Sequence, residues 1–170
     1  MVHVFFSLRH YHLLRLYFTT FTLRNESNPD PPTTREKMPV LSAKSRQRLE
    51  GIRPVLIQII EEAIITSPID FGIPPDGGLR TTERQQELYA QGRTKAGKKI
   101  TWVDGVTKKS RHQSGDAFDI YAYVNGAASW DAKHYAPIAR HLKEVAKTFG
   151  VDLEWGGEWQ KQDLPHFQIR

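Results

Sequence analysis

At 170 residues the chain has room for one domain with a real core and hardly for two. It contains no cysteine, which excludes disulfides, a thiol nucleophile and thiolate-held zinc, so any zinc must sit on imidazole and carboxylate. The net charge of +5 and pI near 9.5 favour a polyanionic neighbour, without choosing among nucleic acid, membrane headgroups and an anionic wall polymer.

Residues 1–37 differ from the remainder. Val2 to Leu23 is rich in aromatic and apolar residues, but Arg9, His10, His12 and Arg15 interrupt it. A spanning helix needs roughly 20 mostly apolar residues, and a signal peptide an unbroken apolar run before a small-residue cleavage site. Neither pattern is present, so stable membrane insertion and an export signal are not expected. A segment lying in a membrane interface stays open. Asn25 to Lys37 reads as a polar linker with Pro29, Pro31 and Pro32. The expected organisation is an extension or linker over 1–37, poorly ordered or translated upstream of the true start, and one domain over 38–170.

From Ser42 the pattern turns helical, with Leu49, Ile52, Leu56, Ile59, Ile60, Ala63 and Ile64 on one stripe. It predicts a helix of about five turns, bent or interrupted near Pro54. Asp70 to Ile73, between Pro68 and Pro74, reads as an edge strand. A second helix follows Gly77-Gly78-Leu79-Arg80-Thr81, with Thr82 and Gln85 at capping-box spacing and an end near Gly92. Arg80, just ahead of it, is either an ordinary surface arginine or a guanidinium aimed into a cleft. Residues 93–109 are basic, with a short strand predicted at Lys99 to Val103 and a turn at Asp104-Gly105. This basic run is either a solvated loop or a substrate-steering patch.

Ser110 to Tyr123 carries the first candidate chemistry. From Ala117 the residues alternate, Ala117, Asp119 and Tyr121 on one face and Phe118, Ile120 and Ala122 on the other. Small Gly115 and Ala117 let His112 fold toward the face of Asp119. Asn125-Gly126 signals a turn, and a helix is predicted from Asp131 as N-cap to Gly150, burying Tyr135, Ile138, Leu142, Val145, Ala146 and Phe149. His134 and His141 share a face of that helix, but no third ligand accompanies them. Val151 to Trp155 reads as a strand, Gly156-Gly157 as a turn and Leu164 to Ile169 as the last strand, with His166 and Gln168 on one face.

His112, Asp119 and His166 have the composition of a zinc site with one open position, the catalytic rather than the structural pattern. Asp163, three residues before His166 with Leu164-Pro165 stiffening the gap, has the spacing of a general base. Arg80 would share with the metal the charge of a tetrahedral oxyanion. On spacing alone, a chance coincidence of His and Asp remains the competing reading.

The order of motifs resembles a known group. Ser110-x-His112-x2-Gly115-x-Ala117-x-Asp119, then Trp155-Gly156-Gly157-x-Trp159 and Asp163-x-Pro165-His166-Phe167, is similar to the zinc peptidases of peptidoglycan. That group holds VanY-type D-alanyl-D-alanine carboxypeptidases, VanX-type dipeptidases and phage L-alanyl-D-glutamate endolysins. Leu79-Arg80-Thr81 with Arg84-Gln85 resembles its arginine-bearing motif, and the tryptophan-flanked glycines are most like the endolysin branch. The resemblance covers about residues 40–170. It implies an α+β fold, a small antiparallel sheet packed by helices, of the hedgehog/DD-peptidase type. It also implies one Zn2+ on His112, Asp119 and His166, Asp163 as base, and Arg80 on the substrate carbonyl. Gln85, Ser110, Trp155 and Trp159 are expected along the substrate cleft, although core packing is an equal reading of the tryptophans. The base is aspartate where several relatives have glutamate.

The leading expectation is therefore hydrolysis of the L-Ala–D-Glu bond in the peptidoglycan stem by a monomeric endolysin-like enzyme, made in the cytoplasm and acting on the wall after release. A D-Ala-D-Ala carboxypeptidase is the near alternative, and a non-catalytic zinc-containing wall-binding module the distant one. A nuclease is not expected, because aromatic platforms interleaved with basic residues are missing.

Overall fold

The computed structural model describes residues 39–170, and the expectation for the extension over 1–37 falls outside them. Among the described residues, four α-helices and six short strands make a mixed helix and antiparallel-sheet architecture. Helix α1 spans Ala43–Arg48 and α2 Pro54–Thr66, so the long apolar stripe belongs to two helices rather than one bent helix. Pro54 starts α2 at its first position, where a missing N–H costs nothing. The stripe residues Leu56, Ile59, Ile60, Ala63 and Ile64 are buried, and Ser67 turns extended before Pro68.

Strand β1 (Phe71–Gly72) lies at the edge of a sheet ordered β1-β3-β4, with β3 over Tyr121–Val124 and β4 over Ala127–Ser129. Asn125 and Gly126, both at positive φ, form the two-residue hairpin between β3 and β4. Strand β4 was not anticipated, because its small residues carry no apolar alternation. Helix α3 (Thr82–Ala90) is capped by Thr81, whose side chain accepts from the Arg84 N–H. Thr82 with Gln85 is therefore not the cap. Gln85 instead points inward and is wholly buried. Lys99 to Val103 forms no strand and runs as an irregular wall.

The second sheet is ordered β2-β6-β5, all antiparallel, with β2 over Ala117–Asp119, β5 over Leu153–Trp155 and β6 over His166–Ile169. The single alternating run after Ala117 thus divides between two sheets, changing at buried Ile120, whose N–H donates to the Pro165 carbonyl. Helix α4 (Tyr135–Thr148) follows a 3-10 turn capped by Asp131, and packs on α2 and β5. Tyr135, Ile138, Leu142 and Ala146 are buried as expected, Val145 is half-buried, and Phe149 lies past the helix end, 39% exposed.

One face of the β2-β6-β5 sheet enters the core, where Phe118 and Phe167 stack as cross-strand partners with ring centroids 5.2 Å apart. Burying each such ring contributes about 1.5–3 kcal/mol. The other face presents Asp119, His166, Gln168 and Glu154, and the register sets Asp119 directly opposite His166 and Glu154 opposite Gln168. Among the described residues no helix is long and apolar enough to cross a membrane.

Candidate metal centre

His112 sits in a 3-10 turn, Arg111–Ser114, that Ser110 caps in a reciprocal pair with Gln113. The turn ends at Gly115, whose φ of 71° is left-handed and whose Cβ, if present, would lie 2.8 Å from the Gly51 carbonyl oxygen. Gly115 lets the chain reverse tightly into β2 and brings His112 over Asp119. Buried Asp116 fastens the same corner, accepting from Arg53 and from the Ser114 hydroxyl.

Three donor atoms then converge. His112 Nε2 lies 3.1 Å from His166 Nδ1 and 3.2 Å from Asp119 Oδ1, and His166 Nδ1 lies 3.1 Å from Asp119 Oδ1. Ligands at about 2.0–2.1 Å in a tetrahedron are separated by about 3.3–3.4 Å, so the triangle is slightly tighter than, but close to, the size a tetrahedral metal ion needs.

The surrounding bonds determine which nitrogen faces that point. His112 Nδ1 is 2.8 Å from the Gly78 carbonyl, an acceptor only, so Nδ1 carries the proton and Nε2 presents its lone pair. Glu154 accepts from the Gln168 amide nitrogen at 2.8 Å, which turns the Gln168 oxygen toward His166 Nε2 at 3.1 Å. Nε2 then holds the proton, and Nδ1 is left as a donor atom. Trp159 Nε1 donates to the other oxygen of Glu154 at 2.8 Å. With both rings neutral, three lone pairs thus face one point, an arrangement suited to a cation and conditioned by outer partners as metal-bound histidines are.

Charge follows the same logic. Burial alone would raise the Asp119 carboxyl, but His112 and His166 more than offset it and hold it well below the usual carboxylate range. Burial would depress His166, yet its contact with Asp119 and that carboxylate's charge push it upward, so without a cation a proton is favoured between them, in the place a metal ion would take. Asp163 moves the other way. Loss of solvent raises it first, Asp119's negative charge adds to this, and His166, His112 and Arg80 oppose it without winning. Its side chain still opens onto the cleft, so it is a basic carboxylate in contact with solvent. The Asp163 N–H donates to Gly156 O at 2.9 Å, and a Cβ on Gly156 would lie 2.5 Å from Asp163 O.

Arg80 is 11% exposed and its Nη2 contacts Asp119 Oδ2 at 2.6 Å. Its Nε donates to the Asp76 carbonyl and its Nη1 reaches Gln85 Oε1 at 3.4 Å. Three of the five guanidinium N–H groups are thus used, and two remain.

A cleft of about 920 Å³ opens over this centre. It is lined by Arg80, Ser110, His112, Asp119, Trp159, Asp163 and His166 from the residues singled out in the sequence. Two others stand elsewhere. Gln85, expected against substrate, lies behind Arg80 and donates to Thr101 and Val103. Trp155, expected on the cleft wall, packs on Phe167 in the core, and its Nε1 donates to Leu164 O at 2.7 Å. Both act from behind the site because α3 and β5 turn these side chains inward. Sequence reasoning missed Gln168 and Glu154. Gln168 was placed on His166's face, but only the β5-β6 register reveals Glu154 beside it. Exposed Trp102 and Trp130 also line the cleft.

Fold and centre together define a small α+β protein with a two-histidine, one-aspartate candidate metal site in an open cleft beside a basic carboxylate. The chain belongs to the phage L-alanyl-D-glutamate peptidase family, whose family model matches residues 38–169. It is 28% identical over 127 residues to the L-alanyl-D-glutamate peptidase of Escherichia phage T5, covering 74% of this chain and 85% of that protein. It is 35% identical over 99 residues to the peptidoglycan L-alanyl-D-glutamate endopeptidase CwlK of Bacillus subtilis (strain 168), covering 54% of this chain and 57% of that protein. The crystal structure of the Serratia marcescens L-Ala D-Glu endopeptidase ChiX superposes with a TM-score of 0.64 at 32% identity, over 79% of this chain and 92% of that one.

Proposed function

We propose that this chain is a peptidoglycan endopeptidase that cuts between L-alanine and D-glutamate of the stem peptide, using one zinc ion in a hedgehog/DD-peptidase type of fold. The activity shared by its relatives' names supports the bond. The observation that supports the metal reading is the triangle of potential ligand atoms on His112, Asp119 and His166. Bound there, zinc supplies Lewis acidity and lowers the pKa of a water toward about 7.

The chain's own residues do the rest. Asp163, kept basic by its surroundings, accepts the proton of the attacking water and passes it to the leaving amine. Arg80 holds Asp119 through one N–H and offers its two remaining ones to the substrate carbonyl as negative charge develops. Ser110 and Trp159 contribute to the walls along which the peptide lies. The protein acts as a monomer on the cell wall, in the manner of an endolysin made in the cytoplasm and released.

Mass spectrometry of fragments from purified peptidoglycan, with and without chelator, tests this. Fragments beginning at D-glutamate, lost on chelation and restored by zinc, are expected. Release of single D-alanine would replace the proposal with a carboxypeptidase, and no release at all would favour a wall-binding module.

A further inference from the structure

The basic run over 93–109, and its continuation to Arg111, finds no use in the chemistry above, yet much of it faces the cleft. The cations there sort by what they touch. Arg80 is taken by Asp119, and Arg111 faces Asp116 at 3.7 Å. Lys99 and Lys161 lie over the face of Trp102, at 5.6 and 4.4 Å from the ring centre. Lys108 and Lys109 line the cleft too, and among the described residues neither ammonium is within ion-pair distance of a carboxylate. Among the described residues, the carboxylates lining the cleft are Asp119 and Asp163.

The loop that carries these two lysines is tied down. The Asp104 side chain accepts from the N–H groups of Val106 and Lys108 and from the Thr107 hydroxyl. Gly105 N–H donates to Lys108 O, and Gln113 donates to Gly105 O from within the turn that holds His112. Asp104's charge is thereby spent on the loop's own donors. The two ammonium groups are carried on a braced segment that ends three residues before a metal ligand.

Resting on the L-Ala–D-Glu reading, we infer that Lys108 and Lys109 form a carboxylate subsite that receives the free α-carboxylate of the D-glutamyl residue at the cut bond. In a stem peptide D-glutamate continues the chain through its side-chain carboxyl, so its α-carboxylate remains free on the leaving side, unless it is amidated. An anion on the residue whose nitrogen is released fits two ammonium groups that line the same cleft with no carboxylate at ion-pair distance among the described residues. The ligand class is an isopeptide-linked glutamate, and the corresponding amide is a neutral isostere that the subsite disfavours.

The test compares kcat/KM for two synthetic peptides, acyl-L-Ala–γ-D-Glu–L-Lys and the same peptide with D-isoglutamine, using the zinc-loaded full chain and its K108Q/K109Q variant. The parent is expected to prefer the free acid by about tenfold or more, the size of one charge-assisted contact. In K108Q/K109Q that ratio falls toward one, and in the parent it shrinks with added salt. Equal cleavage of both peptides by the parent, or an unchanged ratio in the variant, overturns the subsite while leaving the endopeptidase reading intact. A variant that loses both peptides in equal proportion reports general steering and also overturns it. No cleavage of either peptide by the parent overturns the endopeptidase reading and the subsite with it.

Discussion

Gln168 offers the sharpest test of how the centre is built, because it is not one of the three candidate ligand residues and acts on one of them, His166, through a hydrogen bond. Its amide oxygen accepts from His166 Nε2 at 3.1 Å, and its orientation is imposed by Glu154 at 2.8 Å. Replacing it by methionine keeps an unbranched chain on the half-buried strand but removes the acceptor. His166 Nε2–H then loses its partner, and the tautomer with the proton on Nδ1, where the metal should bind, is no longer disfavoured. One hydrogen bond is worth about 0.5–1.5 kcal/mol net. With tenfold per 1.4 kcal/mol, zinc affinity should fall about 2- to 12-fold, up to the low end of the roughly 10- to 100-fold range for outer partners of metal ligands. Competition with a chromophoric chelator on the zinc-free protein measures this, and nitrogen NMR of the imidazole reads the tautomer directly. Glu154→Gln should cause a smaller loss, since Gln168 is then free to flip without being removed. Unaltered affinity in Q168M, with His166 Nε2 still protonated in the apo protein, would refute the argument.

Asp163→Ala should retain one zinc per chain while hydrolysis falls by about 10²–10⁴, the usual contribution of a positioned base; zinc content and fragment release are measured on the same sample. Gly156→Ala places a methyl 2.5 Å from the Asp163 carbonyl oxygen, and the overpacking should cost about 1–3 kcal/mol in thermal unfolding and reduce activity together. The Tyr135 hydroxyl is buried without a partner among the described residues, and burial, then Asp119 and Asp163, push it up to about 12. Tyr135→Phe removes that unsatisfied group and should leave Tm unchanged or raise it slightly; a loss above about 1 kcal/mol would reveal a bound partner. Burial favours neutral Asp116, but Ser114 and Arg53 outweigh it and hold its carboxyl below the ordinary value. A depressed folded pKa means stability that is complete above about pH 4 and lost as pH falls through the folded value. Asp116→Asn should therefore flatten the acid side of a urea-midpoint profile, by less than about 1 kcal/mol because Arg53 is largely solvated.

The reading of the sequence and the folded protein part company at identifiable residues. Helix α4 and the stripe of α2 were legible because burial on one face imposes a 3.6-residue period on the sequence itself. His112, Asp119, His166 and Asp163 were legible through residue type, spacing and the order of motifs. The expectation of a bend or an interruption near Pro54 left the two open, and the interruption is what forms, because a proline that bends a helix and one that starts a helix look alike without the preceding backbone. The change of sheet at Ile120 was invisible for a similar reason, since the side-chain alternation passes through it undisturbed.

What the sequence by itself determined is the inventory: which side chains can hold a cation, which carboxylate stands apart from them, and which apolar faces must be covered. What only the tertiary structure decided is their pairing. The β2-β6 register sets Asp119 against His166, and the β5-β6 register sets Glu154 against Gln168. Those two pairings orient the ring nitrogens and the amide around the centre, and they arise between residues 47 and 14 positions apart. Register depends on interstrand hydrogen bonds and on the packing of Phe118 against Phe167, neither of which leaves a local period to read.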